Sequence, residues 1–263
     1  MTTNRLEGLT ALITGGGGGV GRGIALELAR SGCRVAVNYF SAADLAEETV
    51  DQIKGLGGDA FAVRGNVADA AEVKEMFAAV IGRFDRLHIL VNNAGVQTWQ
   101  PFLEVTESDW DLVIDTNLKG CFLNSQAAAR HMKEHGGGSI VNIGSGCNKI
   151  GFPNLVAYTA SKGGIEMLTK VAAVELGRYG IRVNCVAPGA IEIERTRREG
   201  GDYARIWSEI TPLGRVGTPS DVGQAVVFLA SADASFVSGQ TLWVDGGVFS
   251  QARWPVYERE PVG

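Results

Sequence analysis

Apolar runs of four to seven residues alternate along the chain with longer stretches in which apolar positions recur every three or four residues. The runs predict strands and the periodic stretches predict helices. Strands are expected at 9–14, 33–39, 59–64, 87–91, 139–143, 181–186 and 241–244, and helices at 21–30, 43–56, 70–83, 108–135, 158–179 and 220–230. Strands that are apolar throughout belong to parallel sheets covered on both faces, and strand–helix–strand repeats of about thirty residues are crossover units. The pattern therefore predicts α/β architecture: a doubly wound, seven-stranded parallel sheet with helices on both faces. No linker interrupts it, so 1–263 is expected to be a single domain with its core at 6–249 and a C-terminal tail at 250–263.

Composition narrows the class. Of the 263 residues, 45% are hydrophobic and 20% charged, which is ordinary for a globular chain with a full core. A net charge of −5 argues against nucleic acid as a partner. Cys33, Cys121, Cys147 and Cys185 are far apart and form no C-x-x-C pair, so buried reduced thiols are expected. His131 and His135 lack an H-E-x-x-H setting and precede a glycine run, which reads as a helix C-terminus and gives no metal site. The first eight residues are short and polar, and no stretch approaches the ~18 apolar residues of a membrane span. A cytoplasmic protein with no membrane partner is expected.

Six glycines fill the seven positions from Gly15 to Gly21. The run satisfies both Gly16-x-Gly18-x-x-Gly21 and Thr14-Gly15-x-x-x-Gly19-x-Gly21. Its place between a strand and a helix favours phosphate binding over a linker, because backbone N–H groups at a helix N-terminus attract anions and glycine allows close approach. Arg22-Gly23 replaces the Lys-Ser/Thr of a Walker loop. The second strand ends Asn38-Tyr39-Phe40-Ser41, without the carboxylate that usually bonds a ribose 2′-hydroxyl. A 2′-phosphate is then tolerated, so NADP is preferred over NAD.

Tyr158 and Lys162 are four apart at the start of a helix and share one face. An ammonium beside a phenol favours the charged phenolate, which equips Tyr158 for proton transfer. Ser145 follows a strand end, as does Asn92-Asn93-Ala94-Gly95; ligands bind at strand C-termini in open α/β sheets. Asn117 lies in the helix that follows.

Taken together, Thr14-Gly15-x-x-x-Gly19-x-Gly21, Asn92-Asn93-Ala94-Gly95, Asn117, Ser145, Tyr158-x-x-x-Lys162 and Pro188-Gly189 resemble the short-chain dehydrogenase/reductase family, of its single-domain type. The matches span residues 9 to about 247, in the family's order. The resemblance implies a Rossmann-type domain that binds NADP or NAD and selects Gly15, Gly19 and Gly21 as the working glycines, with Val20 among the contacts. Thr14 would steady the turn. Asn38, Tyr39, Phe40 and Ser41 would lie near the ribose, Asn66 and Val67 at the adenine, and Asn93, Ala94 and Gly95 on the adenosine side. Pro188, Gly189 and Ile191 would meet the nicotinamide carboxamide, while Ile193 stands where many relatives carry a threonine. The implied reaction is reversible hydride transfer between nicotinamide and a secondary alcohol or ketone. Tyr158 is acid/base, Ser145 polarises the substrate oxygen, Lys162 assists Tyr158 and bonds the ribose, and Asn117 supports a proton-relay water. A homotetramer is also implied.

Substrate choice falls to residues outside these motifs. Gln97, Cys147, Trp99, Asn148 and Lys149 follow strand ends and are candidate pocket residues beside Ser145 and Tyr158. Their polarity suits a small-molecule sugar or polyol. The chain is similar both to sugar dehydrogenases of the glucose-dehydrogenase type and to 3-oxoacyl-acyl-carrier-protein reductases, and scattered arginines favour the former over the latter. A lid is expected at 192–207, whose arginines are either salt-bridged in solvent or include one that reaches an anionic substrate. A non-catalytic cofactor sensor is the alternative of another class, disfavoured because all four catalytic positions are filled. The tail, with Trp254, Pro255 and Tyr257, is expected either to reach a neighbouring subunit or to be disordered.

Overall fold

The computed structural model describes residues 5–199 and 201–251. Side chains alternate faces along each strand. In β1 (Thr10–Ile13), Ala11 and Ile13 join one core cluster and Leu12 the other. The remaining strands are β2 (Arg34–Tyr39), β3 (Ala60–Arg64), β4 (Ile89–Asn92), β5 (Gly138–Ile143), β6 (Ile181–Pro188) and β7 (Thr241–Val244). They form one parallel sheet in the order β3-β2-β1-β4-β5-β6-β7. The doubly wound α/β expectation therefore holds.

The helices are α1 (Gly19–Arg30), α2 (Ala43–Gly55), α3 (Ala70–Phe84), α4 (Glu107–Ile114), α5 (Gly120–Glu134), α6 (Val156–Leu176), α7 (Glu194–Glu199), α8 (Tyr203–Ile210) and α9 (Pro219–Ala230). Ile24 and Leu28 of α1, Val50 and Ile53 of α2, and Val222 and Val226 of α9 pack on one face of the sheet. Val73, Phe77 and Val80 of α3 and Ala128 and Met132 of α5 cover the other, with Ala172 and Ala173 of α6 beside them. Helix starts follow local chemistry. Asp69 accepts from Ala71 N and Glu72 N to cap α3, and Thr218 forms a capping box with Asp221 ahead of Pro219 in α9. Among the described residues no helix is long and apolar enough to cross a membrane.

Two expectations change, and a third falls outside the described residues. The helix expected at 108–135 is divided by a π-helical turn, Asp115–Lys119, between α4 and α5. Such a turn adds a residue to the helical repeat and re-aims the side chains around it, and hydropathy periodicity does not register one extra residue. The lid is two short helices, α7 and α8. The tail residues 252–263, including Trp254, Pro255 and Tyr257, lie outside the described residues.

Candidate active site

From β1 the chain crosses to β2 on one side, and β4 pairs with β1 on the other. Reversal of the winding leaves a crevice beyond the strand C-termini, and a cleft of about 930 Å³ lies there. A second hollow, about 660 Å³, is lined by Arg86, His88 and Arg182 at the opposite end of the sheet. There the Arg182 guanidinium donates to Leu229 O, Ala230 O and Ser231 O, satisfying carbonyls at the end of α9.

The glycine turn is built by contacts that no side chain would permit. Gly15 and Gly19 have φ of +61° and +52°. A Cβ on Gly21 would lie 2.2 Å from Gly15 O and 2.6 Å from Asn93 Nδ2. Thr14 Oγ1 accepts from Asn93 N (2.9 Å) and Ala94 N (3.0 Å), and Asn93 Nδ2 donates to Thr14 O and Gly15 O. These bonds strap the end of β1 to the end of β4. Gly18 precedes α1 with no side-chain cap, and the first turn of α1 carries no acid. Its leading N–H groups therefore face the cleft without a carboxylate competing for them, which fits a dinucleotide diphosphate.

Several expected cofactor residues line this cleft: Val20, Phe40, Ser41, Asn66, Val67 and Ala94, and also Gly95, Pro188, Gly189 and Ile191. Others do not reach it in the expected way. Thr14 is buried and acts through the strap, and Tyr39 packs beside the core. Asn38 borders the cleft, yet its Oδ1 accepts from Gly15 N (3.1 Å) and its Nδ2 donates to Gly65 O (3.0 Å). The amide that was expected near the ribose instead fixes the glycine turn. Arg22 is likewise committed, to Gly17 O, Thr49 and Glu48.

Tyr158 and Lys162 both line the cleft from α6. Lys162 is buried, and its Nζ donates to Ile143 O at 2.8 Å while standing 5.4 Å from the centre of the Tyr158 ring. The ammonium thus lies near the Tyr158 ring and against the end of β5. A buried ammonium needs several acceptors, and the Ile143 carbonyl takes one hydrogen, leaving others for a ligand's hydroxyls. Ser145 follows β5, and its Oγ accepts from Cys147 N at 3.3 Å. Its own hydrogen is then available to donate.

Asn117 sits in the π-helical turn, fully buried behind the cleft. Its Oδ1 accepts from Val96 N, and its Nδ2 donates to Val96 O and Ser161 Oγ. Ser161 Oγ in turn donates to Tyr158 O. Both amide hydrogens are consumed inside the protein, so Asn117 braces the β4 loop against α6. Only its acceptor oxygen is left for a water.

Among the expected substrate residues, Gln97 lines the cleft with Ser145 and Tyr158. Cys147 is buried beneath it and is not part of the lining. Trp99 is 62% exposed outside it, the Asn148 amide turns inward to Ser145 N, and Lys149 Nζ donates to Phe249 O. The other thiols are inert, since burial pushes Cys185 up to about 11 and Cys121 up to about 12. Of the arginines expected in the 192–207 segment, Arg195 borders the cleft, and so does Tyr203, which sequence patterns missed. The only signal available was the cluster of charges at 192–207.

A family model described as enoyl-(acyl carrier protein) reductase matches residues 16–249. The 3-oxoacyl-[acyl-carrier-protein] reductase FabG of Staphylococcus aureus is 43% identical over 240 residues, covering 91% of this chain and 98% of the relative. Crystal structures of two relatives superpose closely. A gluconate 5-dehydrogenase from Burkholderia cenocepacia, in complex with NADP and tartrate, gives a TM-score of 0.89 at 37% identity over 95% of this chain and 99% of its own. A short-chain type dehydrogenase/reductase from Mycobacterium marinum gives 0.87 at 36% over 92% and 96%. With the glycine turn, Ser145, Tyr158 and Lys162 gathered at one strand edge and relatives matched along nearly their whole length, the chain belongs to the short-chain dehydrogenase/reductase family and is an oxidoreductase acting on CH–OH and keto groups.

Proposed function

We propose that this protein catalyses reversible hydride transfer between NADP and a secondary hydroxyl of a small sugar or polyol-like substrate. The convergence of Ser145, Tyr158 and Lys162 on one wall of the cleft carries this reading. Bound nicotinamide supplies or accepts the hydride. The uncapped start of α1 holds the diphosphate, and Lys162 bonds the ribose. Tyr158 passes the proton to or from the substrate oxygen, and Ser145 Oγ–H donates to that same oxygen. In the oxidative direction the alcohol loses a hydride and a proton, giving ketone, reduced cofactor and H⁺.

A small free substrate is favoured by the charges around the entrance. Arg197 pairs with Glu192 (3.0 Å), and Arg205 pairs with Asp202 and Glu209 (both 2.8 Å). Internally paired arginines offer little to an acidic carrier protein. The gluconate 5-dehydrogenase relative supports the same choice. The 43% identity to 3-oxoacyl-[acyl-carrier-protein] reductase favours the second reading, reduction of a carrier-bound 3-oxoacyl group. Nicotinamide absorbance with a panel of sugars, aldonates, polyols and 3-oxoacyl thioesters separates them. Turnover with only the thioesters overturns the sugar reading, and cofactor binding without turnover on any class favours a sensor.

Cofactor choice has its own test. Ser41 lines the cleft just beyond β2, where a carboxylate would stand beside a 2′-phosphate. Ser41→Asp is expected to raise the KM for NADP at least about tenfold, equivalent to ~1.4 kcal/mol, while changing that for NAD less than about threefold. Equal changes for both cofactors would remove NADP preference from this position.

The homotetramer implied by the family is supported by Met167, Val171 and Val174, which are 57%, 53% and 83% exposed along one stripe of α6. A Met167→Glu/Val171→Glu variant is expected to elute as a smaller species in size-exclusion chromatography with light scattering. An unchanged mass would place the interface elsewhere.

A further inference from the structure

The turn that presents Ser145 is clamped by two side chains that do not enter the cleft. Ser145 adopts an extended backbone (φ −169°, ψ 169°) and opens a short 3₁₀ turn, Gly146–Asn148. Asn148 Oδ1 accepts from Ser145 N at 3.0 Å, and Asn148 N donates to Ser145 O at 2.9 Å. This reciprocal box fixes both the Ser145 backbone and the Cys147 N–H that Ser145 Oγ accepts. A hydroxyl has one hydrogen. With its oxygen held by Cys147 N, that hydrogen is aimed by the turn.

The space around Asn148 is specific. A Cβ on Gly144 would lie 2.7 Å from Asn148 Nδ2, 2.8 Å from Oδ1 and 2.8 Å from Cys185 Sγ. Only glycine there lets the amide fold back beneath the turn, where Nδ2 also points at Cys185 Sγ on β6. From the outer side, a Cβ on Gly146 would lie 2.3 Å from the Phe249 ring. That ring meets Phe152 edge-on at 5.8 Å, and the Phe249 backbone is held by Asp245 Oδ2 and Lys149 Nζ. The segment after β7 is thus pressed directly against the residue following Ser145.

We infer that Asn148 and Phe249 are positioning residues that set the direction of the Ser145 hydroxyl, coupling the C-terminal segment to the chemical step. The inference rests on the role of Ser145 in the proposed function. It also moves Asn148 from substrate contact, as its polarity suggested, to support of the turn.

A mutant cycle tests it on the full-length protein, with kcat measured on the substrate found by the panel and cofactor affinity by fluorescence titration. Asn148→Ala is expected to lower kcat about ten- to a hundredfold, with the cofactor Kd within about twofold of wild type. Asn148→Asp keeps an oxygen acceptor for Ser145 N and is expected to recover most of that loss. Phe249→Ala is expected to lower kcat by a smaller factor, about three- to tenfold. In a Ser145→Ala background, Asn148→Ala is expected to cost less than about twofold further, because residues acting as one unit are not additive. Full turnover in Ser145→Ala would overturn the reading of the site itself. The positioning inference is overturned if Asn148→Ala retains kcat while Ser145→Ala loses it. It is equally overturned if the Asn148 loss is undiminished in the double variant, or if cofactor affinity falls in parallel. Should Asn148→Ala not fold, the same cycle with Phe249→Ala decides.

Discussion

Tyr158→Phe is expected to abolish turnover while leaving cofactor binding within about twofold of wild type. General acid–base groups contribute about 10²–10⁴-fold, and Tyr158 carries the one phenol on the cleft wall shared with Ser145 and Lys162; Tyr203 stands on the lid. Ser145 Oγ, which accepts from Cys147 N, can donate a hydrogen bond to the substrate oxygen, but an aliphatic hydroxyl is too weak an acid to supply the proton by itself. Phenylalanine keeps the ring over which Lys162 Nζ stands, and Lys162 keeps its bond to Ile143 O. The ribose contact and the glycine turn are therefore untouched. Steady-state rates and fluorescence titration with reduced cofactor check both halves. A variant keeping more than about a tenth of the wild-type rate would remove Tyr158 from the acid/base role.

Gly21→Ala is expected to weaken cofactor binding by about a hundredfold or more, and to lower Tm. The added methyl would stand 2.2 Å from Gly15 O and 3.1 Å from Gly15 C, both backbone, and 2.6 Å from the Asn93 amide that straps the turn. The Gly15 atoms are backbone and cannot rotate away, and the Asn93 amide can do so only by giving up its bonds to Thr14 O and Gly15 O, so either α1 moves off the end of β1 or the strap opens. Each displaces the N–H groups that face the diphosphate. The same exchange at Gly82 in α3 meets nothing within 4 Å. Gly82→Ala is expected to raise stability by about 0.5–1 kcal/mol, because alanine costs less entropy in a helix. Calorimetry and cofactor titration on the pair separate a steric requirement from a general intolerance of side chains. Wild-type affinity in Gly21→Ala would show that the close approach is not needed.

How far the site was legible depends on the kind of information each part required. All seven strands lie where their apolar runs placed them, with no end shifted by more than two residues. A strand buried on both faces has a composition that can be read directly. The glycine run was legible as a class, because stereochemistry at Gly15, Gly19 and Gly21 is a property of the residue type. Side-chain partnerships were not. Asn38, the penultimate residue of β2, and Asn148, beyond β5, are polar residues near strand C-termini that looked like ligand contacts, yet both turn their amides into the protein. Nothing within five residues of Asn38 marks Gly15 as its partner, since that pairing exists only once β1 and β2 lie side by side.

Readable from the sequence alone were the alternation of strands and helices, the glycine turn, and the placing of Tyr158 and Lys162 on one helix face. Each follows from local periodicity or from spacing within a single element, whereas Ser145, which follows a strand, was joined to that pair by the family resemblance. Tertiary structure decided where each of those groups directs its hydrogen atoms. Lys162 meets Ile143 O across the α6–β5 contact, and Asn117 spends its amide on Val96 and Ser161 from a π-helical turn. Phe249 closes over Gly146 from a hundred positions away. Hydrogen bonds and close contacts act over about 3 to 4 Å. Which atoms come within that range is set by how elements dock, and docking is a property of the whole sheet.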